Sequence, residues 1–409
     1  MKKFAVILPG QSSQYIGMGK ALYENYEIAR KIYDEASRCL GYDVYEFIKS
    51  GDMPELMKAP KLQPAILVTS YCFYMVCNEV FGMEPEYLAG HSLGEITALA
   101  CAGSLQFQDA VRIAKMRGKF MQEVSDELGE GAMAAISEMG LEEIKELCEA
   151  YQKKNTPIYL ANLNSYDQYV VSGLKKDIIP FIENVKEKGG KAITLRVNLP
   201  FHSPYMKSAA EKFAQGLKEF QFNTSSRKII SNVTGKPYSE DTDIAAMLVE
   251  QIISPVLWID SMKYLADNDV ELILEMGPGR ILSKMTEKIS DQYLVNAIDN
   301  PKDENACLDT LRSHKLFNKN YMIERFMGVA VSTKNNNFDE ESYQNGVVKP
   351  YNKIRSISDE LEARGKKATD EDVEVCKKLL LEILQCKQVK DEEINVRLKE
   401  LQKETMLTF

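Results

Sequence analysis

Gly90-His91-Ser92-Leu93-Gly94 sets a serine between two glycines at the spacing G-x-S-x-G. Between a short strand and a helix, that spacing makes a tight turn that presents the serine oxygen as a nucleophile. The small residues permit the turn, and the helix N-terminus behind it favours the negative charge that develops during attack. The plain alternative is a glycine-lined turn whose serine only caps a helix. A serine nucleophile also needs a base to take its proton. The chain has three histidines, His91, His202 and His314. His91 adjoins the serine, and its side chain should leave the sharp turn on the other side. His314 lies in the approach to a charged tail. His202, in Pro200-Phe201-His202-Ser203-Pro204, is the remaining candidate, set against the reading of a loop histidine without a task.

A third residue stands out by its position. Residues 108–124 have helical periodicity. At about 100° per residue, Ala110, Ile113, Ala114, Phe120, Met121 and Val124 fall within about 60° of Arg117. Arg112, Lys115 and Lys119 fall on the opposite, polar side, so Arg117 sits in the middle of the apolar stripe. An arginine cannot shed its charge, and burying it unpaired is costly. It needs either an internal Asp or Glu or an anionic ligand. A guanidinium facing a cleft suits the second role, because it grips a carboxylate with two hydrogen bonds.

The elements that must hold these residues read as α/β. Residues 4–8 form a continuous apolar run ending in Pro9-Gly10, as a buried strand should. A helix is expected over 65–80 after a turn at 60–64, then a short strand at 87–89 and a helix at 95–102. The pattern changes over residues 131–197, where strands at 132–136, 158–163, 169–172 and 192–197 alternate with helices at 141–151 and 175–188. That order, βαββαβ, is the ferredoxin-like arrangement. Afterwards come a helix over 204–220, strands at 228–233 and 271–276, and a helix over 281–289. The expected organisation is a large α/β domain over 1–128 and 198–315, an inserted small domain over 129–197, and a C-terminal extension over 316–409.

The extension begins with the apolar run Phe326-Met327-Gly328-Val329-Ala330-Val331. Up to about residue 353 it is expected to wrap the large domain. The charged helices over 355–402 have few apolar residues with which to form a core alone. They would present a docking surface to a partner, or fold back as a stabiliser.

The 409 residues suit two or three domains, and 44% hydrophobic with 27% charged residues describes a soluble globular chain. No run of about 18 apolar residues offers a membrane span. The N-terminal apolar run is too short for a signal peptide. The cysteines at 39, 72, 77, 101, 148, 307, 376 and 386 form neither a CxxC pair nor a metal cluster, which points to reduced thiols in the cytoplasm. A formal charge of −9 argues against broad nucleic-acid binding.

Taken in order, these pieces resemble the malonyl-CoA:acyl carrier protein transacylases, including the free-standing acyltransferases that serve polyketide synthases. The matching segments are Pro9-Gly10-Gln11-Ser12-Ser13-Gln14, Gln63-Pro64-Ala65, Gly90-His91-Ser92-Leu93-Gly94-Glu95 and Arg117-Gly118-Lys119-Phe120-Met121-Gln122. They continue with Asn162-Leu163-Asn164-Ser165, Pro200-Phe201-His202-Ser203-Pro204, Gln251 and Gly277-Pro278-Gly279, covering about residues 1–300. The resemblance implies a hydrolase-like large domain with a parallel sheet and an inserted ferredoxin-like domain. It makes Ser92 the nucleophile and His202 its base, and gives the oxyanion hole to the backbone N–H groups of Gln11 and Leu93. Arg117 would bind the free carboxylate of malonate, and Gln251 would hold the far nitrogen of His202 through a backbone carbonyl rather than an aspartate. Gln63 would support the pocket wall, and Asn162 would touch the cleft.

The implied partners are malonyl-CoA, a phosphopantetheinylated acyl carrier protein and, through the extension, polyketide synthase modules. An acidic carrier would have to meet a local basic patch. No metal or bound cofactor is implied. Two features depart from the family: Ser12 stands where it usually has glycine, and the chain continues well beyond residue 320. The nearest rival is an acyl hydrolase of the same fold that clears stalled chains from carrier proteins, for which a carboxylate clamp has no use. An unrelated serine esterase would lack the inserted domain. A non-enzymatic scaffold would not need the Ser, His and Arg set.

Overall fold

The computed structural model describes residues 3–81, 83, 85–225, 227–299, 319–364 and 366–405. His314, Cys307 and the expected boundary at 315/316 lie outside them. Among the described residues the strands are β1 (Lys3–Leu8), β2 (Tyr87–Gly90), β3 (Gly131–Ser137), β4 (Tyr159–Ser165), β5 (Gln168–Leu174), β6 (Lys191–Thr194), β7 (Lys228–Ile230), β8 (Val270–Glu275) and β9 (Leu294–Ala297). They form two sheets. The first is parallel throughout, in the order β7-β2-β1-β8-β9. Residues 4–8 of its central strand are buried on both faces, which is why they read as an unbroken apolar run. Leu8 pairs with Gly90, so β1 and β2 end level and the loops that follow leave the sheet side by side. A crevice at the carboxyl ends of parallel strands is where such sheets place their sites.

The second sheet is antiparallel, in the order β4-β5-β3-β6. Helices Leu141–Lys153 and Lys175–Glu187 complete the βαββαβ order read from the sequence. They bury Ile144, Leu147, Ile178, Phe181 and Val185. An isolated parallel bridge joins Asn162 of β4 to Val256, just past helix Ile244–Ile253. The bridge ties β4 to the segment that follows the helix carrying Gln251.

Some boundaries differ from expectation. The helix expected to begin at 65 runs over Ala59–Phe81 with Pro64 inside it. Pro64 lies in the second turn, where its missing N–H forgoes one bond, and the burial of Leu62 and of residues 65–68 outweighs that loss. β7 stops at Ile230 because the chain turns there, with Ser231 N–H bonded to Lys236 O and Gly235 N–H to Ser231 O. The segment after Pro204 is a 3₁₀ turn, Pro204–Met206, followed by helix Lys207–Leu217.

By its contacts the chain divides into two units, the second comprising Cys77–Glu84 and Ala306–Phe409. The charged C-terminal helices do not form a core alone but share one with helix Lys319–Ser332, part of the segment expected to wrap the large domain. Met322, Ile323, Phe326 and Ala330 of helix Lys319–Ser332 share one buried cluster with Ile354, Cys376, Leu380, Ile383, Leu384, Ile394 and Leu401. Each later helix brings few apolar residues, but they lie on one face and converge. Lys387, itself buried, donates through Nζ to Ala330 O at 2.7 Å and Thr333 O at 2.8 Å, and so satisfies the carbonyl end of helix Lys319–Ser332. Among the described residues no helix is long and apolar enough to cross a membrane.

Candidate active site

The turn after β2 depends on its two glycines. A Cβ added at Gly90 would lie 1.9 Å from the carbonyl carbon of Gly94, and one at Gly94 would lie 2.0 Å from Leu8 O. Between them Ser92 has φ 53° and ψ −105°, a strained conformation that costs on the order of 1–3 kcal/mol. Asn232, just past β7, holds it there. Its Oδ1 accepts from Ser92 N–H at 2.6 Å and its Nδ2 donates to Gly90 O at 2.6 Å. Helix Leu93–Cys101 follows, but the Ser92 hydroxyl makes no capping bond to it. The plain reading of a capping serine therefore fails.

The hydroxyl instead lies 2.8 Å from His202 Nε2 and 3.0 Å from Arg117 Nη2. His202 Nδ1 is 2.8 Å from the Gln251 backbone carbonyl. A carbonyl can only accept, so Nδ1 carries the proton and the Nε2 lone pair faces Ser92. The carbonyl thus fixes the tautomer, a task given to aspartate in many serine triads. Burial first, and the Arg117 charge second, hold the His202 imidazole down to about 3. It is therefore neutral, and able to accept a proton, through the range where an ordinary histidine is charged. The expected pH profile of Ser92 acylation, followed as kcat/KM because that reports the free enzyme, stays level as pH falls through about 6.5. An acid limb there would show that the base is an ordinary, solvated histidine.

Arg117, on helix Phe107–Leu128, is buried, as the apolar stripe predicts. Its direct partners are all neutral. Nη1 donates to Gln63 Oε1 at 3.1 Å, and Nη2 donates to Gln251 Oε1 at 3.0 Å as well as to Ser92. Nε is buried without a hydrogen-bond partner. Among the described residues no carboxylate forms an ion pair with it, so the internal-acid alternative left open by the sequence is not met by direct contact. Burial pulls its pKa down to about 10, and it keeps its charge at neutral pH.

Gln63 does more than line a wall, since its Nε2 also donates to Gln11 Oε1 at 3.1 Å. Gly10 brings that loop against the nucleophile turn: a Cβ there would lie 2.5 Å from His91 O and 3.7 Å from Leu93 N. Gly10, the residue before Gln11, therefore comes next to Leu93, whose N–H, in the first turn of a helix, belongs to the donors without an intrahelical partner. Ser12 has φ 88°, so the position where the family usually has glycine does adopt a left-handed backbone here. The loop is held in spite of that strain, with Ser12 N–H on Gln14 Oε1 and Ser13 Oγ on Gly10 O, both at 2.8 Å.

Asn162 meets the histidine beside the nucleophile. Its Nδ2 lies 3.3 Å from His91 Nε2, which also meets Asn164 Oδ1 at 3.0 Å. It supports the ring behind the nucleophile, because β4 is tied by its bridge to Val256. Two residues that sequence reasoning missed are Asn232 and Glu95. Asn232 carried no signal before the strand order was known. Glu95 did: it is the one charged side chain in Leu93–Cys101, whose residues are all buried. A cleft of about 770 Å³ opens beside Gln11, and its lining includes Met57, Phe201, Arg196, Lys58, which pairs with Glu55, and Lys175, which pairs with Glu130 of the same lining.

Residues 6–308 match the acyl transferase domain family. The chain belongs to that family. This acyl transferase is similar to a Bacillus subtilis malonyl CoA-acyl carrier protein transacylase, 33% identical over 376 residues that cover 91% of this chain and 94% of the relative. A transacylase of the same name from B. subtilis strain 168 is 40% identical over 313 residues, covering 76% of this chain and 98% of its own length. Among solved structures, a type II polyketide synthase acyl-carrier protein in complex with its malonyl-transacylase matches with a TM-score of 0.72. That match is 33% identical and covers 75% of this acyl transferase and 99% of the other chain. The first alignment is long enough to run past the acyl transferase domain into the C-terminal helices, so the extension is shared with one relative.

Proposed function

We propose that this acyl transferase moves the malonyl group from malonyl-CoA to the phosphopantetheine thiol of an acyl carrier protein, supplying extender units for polyketide or fatty-acid synthesis. The observation that carries the reading is the Arg117 guanidinium, buried, bonded only to neutral groups, and 3.0 Å from the Ser92 hydroxyl. A cation so placed asks for an anionic acyl group. The transacylase relatives support the same substrate pair. Arg196 on the cleft suits an acidic carrier and a phosphorylated donor.

In the first half-reaction His202 Nε2 takes the Ser92 proton as Oγ attacks the thioester carbonyl. The developing oxyanion lies toward the N–H groups of Gln11 and Leu93. The C–S bond breaks, the imidazolium returns its proton to the coenzyme A sulfur, and malonate remains as an ester with its free carboxylate on Arg117. In the second half the carrier thiol gives its proton to His202 and attacks the ester, and Ser92 leaves with that proton. Gln251 and Gln63 orient the histidine and the guanidinium. None of these steps needs a metal or a bound cofactor.

The experiment that separates transfer from hydrolysis starts with protein acylated by malonyl-CoA and freed of excess donor. Added phosphopantetheinylated carrier should gain one malonyl mass as the enzyme loses it, while buffer alone releases malonate slowly. Release to water as fast as to the carrier would establish the hydrolase instead.

A further inference from the structure

Glu95 is fully buried behind the reacting groups, and acyl transfer as written does not use it. Its Oε2 accepts from Gln251 Nε2 at 2.6 Å and from Asn232 N–H at 3.1 Å, and its Oε1 accepts from the Tyr238 hydroxyl. All three contacts are donors aimed at one acceptor, the arrangement that favours the ionised form. They oppose burial, which pushes Glu95 up to about 7. Gln251 Nε2 also donates to Ser92 O at 2.9 Å, so both amide hydrogens are engaged. That fixes the amide plane and turns its Oε1 to Arg117 Nη2, while the Gln251 backbone carbonyl takes His202 Nδ1–H.

The placement answers a conflict in the chemistry. A buried guanidinium needs a counter-charge when no substrate is bound. A carboxylate bonded directly to it would occupy the donors that an incoming substrate carboxylate must use. Glu95 stands one amide away, close enough for its charge to favour the charged form of Arg117. Its distance leaves the guanidinium without a bonded acid.

We propose that Glu95 is a positioning residue for acyl selection, holding Arg117 toward Ser92 through the Gln251 side chain and supplying its counter-charge without occupying it. This rests on the acyl-transfer reading above.

The test compares wild type, Glu95→Gln, Gln251→Met and the double variant in Ser92 acylation by malonyl-CoA and by acetyl-CoA, which carries no free carboxylate. Gln251→Met keeps the backbone carbonyl on His202 and removes the amide's bonds to Glu95, Arg117 and Ser92 O. Each single variant should lose malonyl-over-acetyl preference by roughly 10- to 100-fold, the scale of a small misplacement in a site, chiefly as a higher KM for malonyl-CoA. The double variant should be no worse than Gln251→Met, since both changes break one relay. Equal losses for the two donors, additive losses, or an unchanged preference would overturn the proposal. If Glu95→Gln does not fold, Gln251→Met decides alone, and a retained preference in it overturns the proposal. Wild-type protein that takes no malonyl on Ser92 would instead refute the functional reading first.

Discussion

Ser92→Ala mixed with malonyl-CoA should gain no malonyl mass, and His202→Ala should be acylated about 10²–10⁴-fold more slowly than wild type, the usual range for loss of a general base. The geometry behind this is direct. The Ser92 hydroxyl has His202 Nε2 at 2.8 Å as its proton acceptor, and the strained turn leaves the oxygen no capping bond to fall back on. Removal of the imidazole leaves Arg117 Nη2 beside the oxygen, and a cation there cannot take a proton. Intact-mass analysis followed by peptide mapping reads both variants, with wild type gaining one malonyl group on the peptide that holds Ser92. Stable acylation at any other residue would sink the assignment.

Arg117→Ala should lose malonyl transfer yet keep, or improve, transfer of neutral groups such as acetyl. Breaking one side of a buried ion pair costs about 3–5 kcal/mol. At about 1.36 kcal/mol per tenfold, that is about 10²–10⁴ in malonyl acylation. Acetyl-CoA forgoes no such contact. Loss of the cation also removes the second-largest of the influences that hold His202 low, so the base becomes slightly stronger. The acceptors left on Gln63 and Gln251 are neutral, and water in the cleft can meet them. Parallel assays with malonyl- and acetyl-CoA give the result. A mutant that kept the malonyl preference would make Arg117 structural and restore the hydrolase.

What could be read from the sequence was whatever chemistry forces into a local pattern. G-x-S-x-G is visible because a Cβ at Gly90 would collide with the backbone of Gly94, four residues on in the same turn. Arg117 is visible because helical periodicity puts its charge among apolar neighbours. The βαββαβ order is visible because its elements alternate in period. Contacts between distant segments were not. The side chain of Gln251, the Asn232 clamp on Ser92 and the place of Asn162 behind His91 all depend on which strand ends lie together. Glu95 was open to the same argument that found Arg117, one acid in a buried helix, and only the short length of that helix hid it. The C-terminal core escaped notice because no single helix supplies enough apolar residues. The cluster appears only when residues from 322 to 401 are brought together.

The position of β1 at the centre of the parallel sheet has a consequence for synthesis. This strand is made before the other strands of its sheet, but one of its two neighbours is β8, with Val6 beside Leu274. Its apolar residues can be covered on that side only after most of the acyl transferase domain has been made. The small antiparallel sheet, confined to residues 131–194, closes from nearby segments and can form while β1 still waits. Pairing between distant segments is slow, and an uncovered strand edge in the interval is prone to aggregate. Nascent chains stopped before Glu275 therefore carry an open template for association, and yield in a cell depends on how well that interval is guarded.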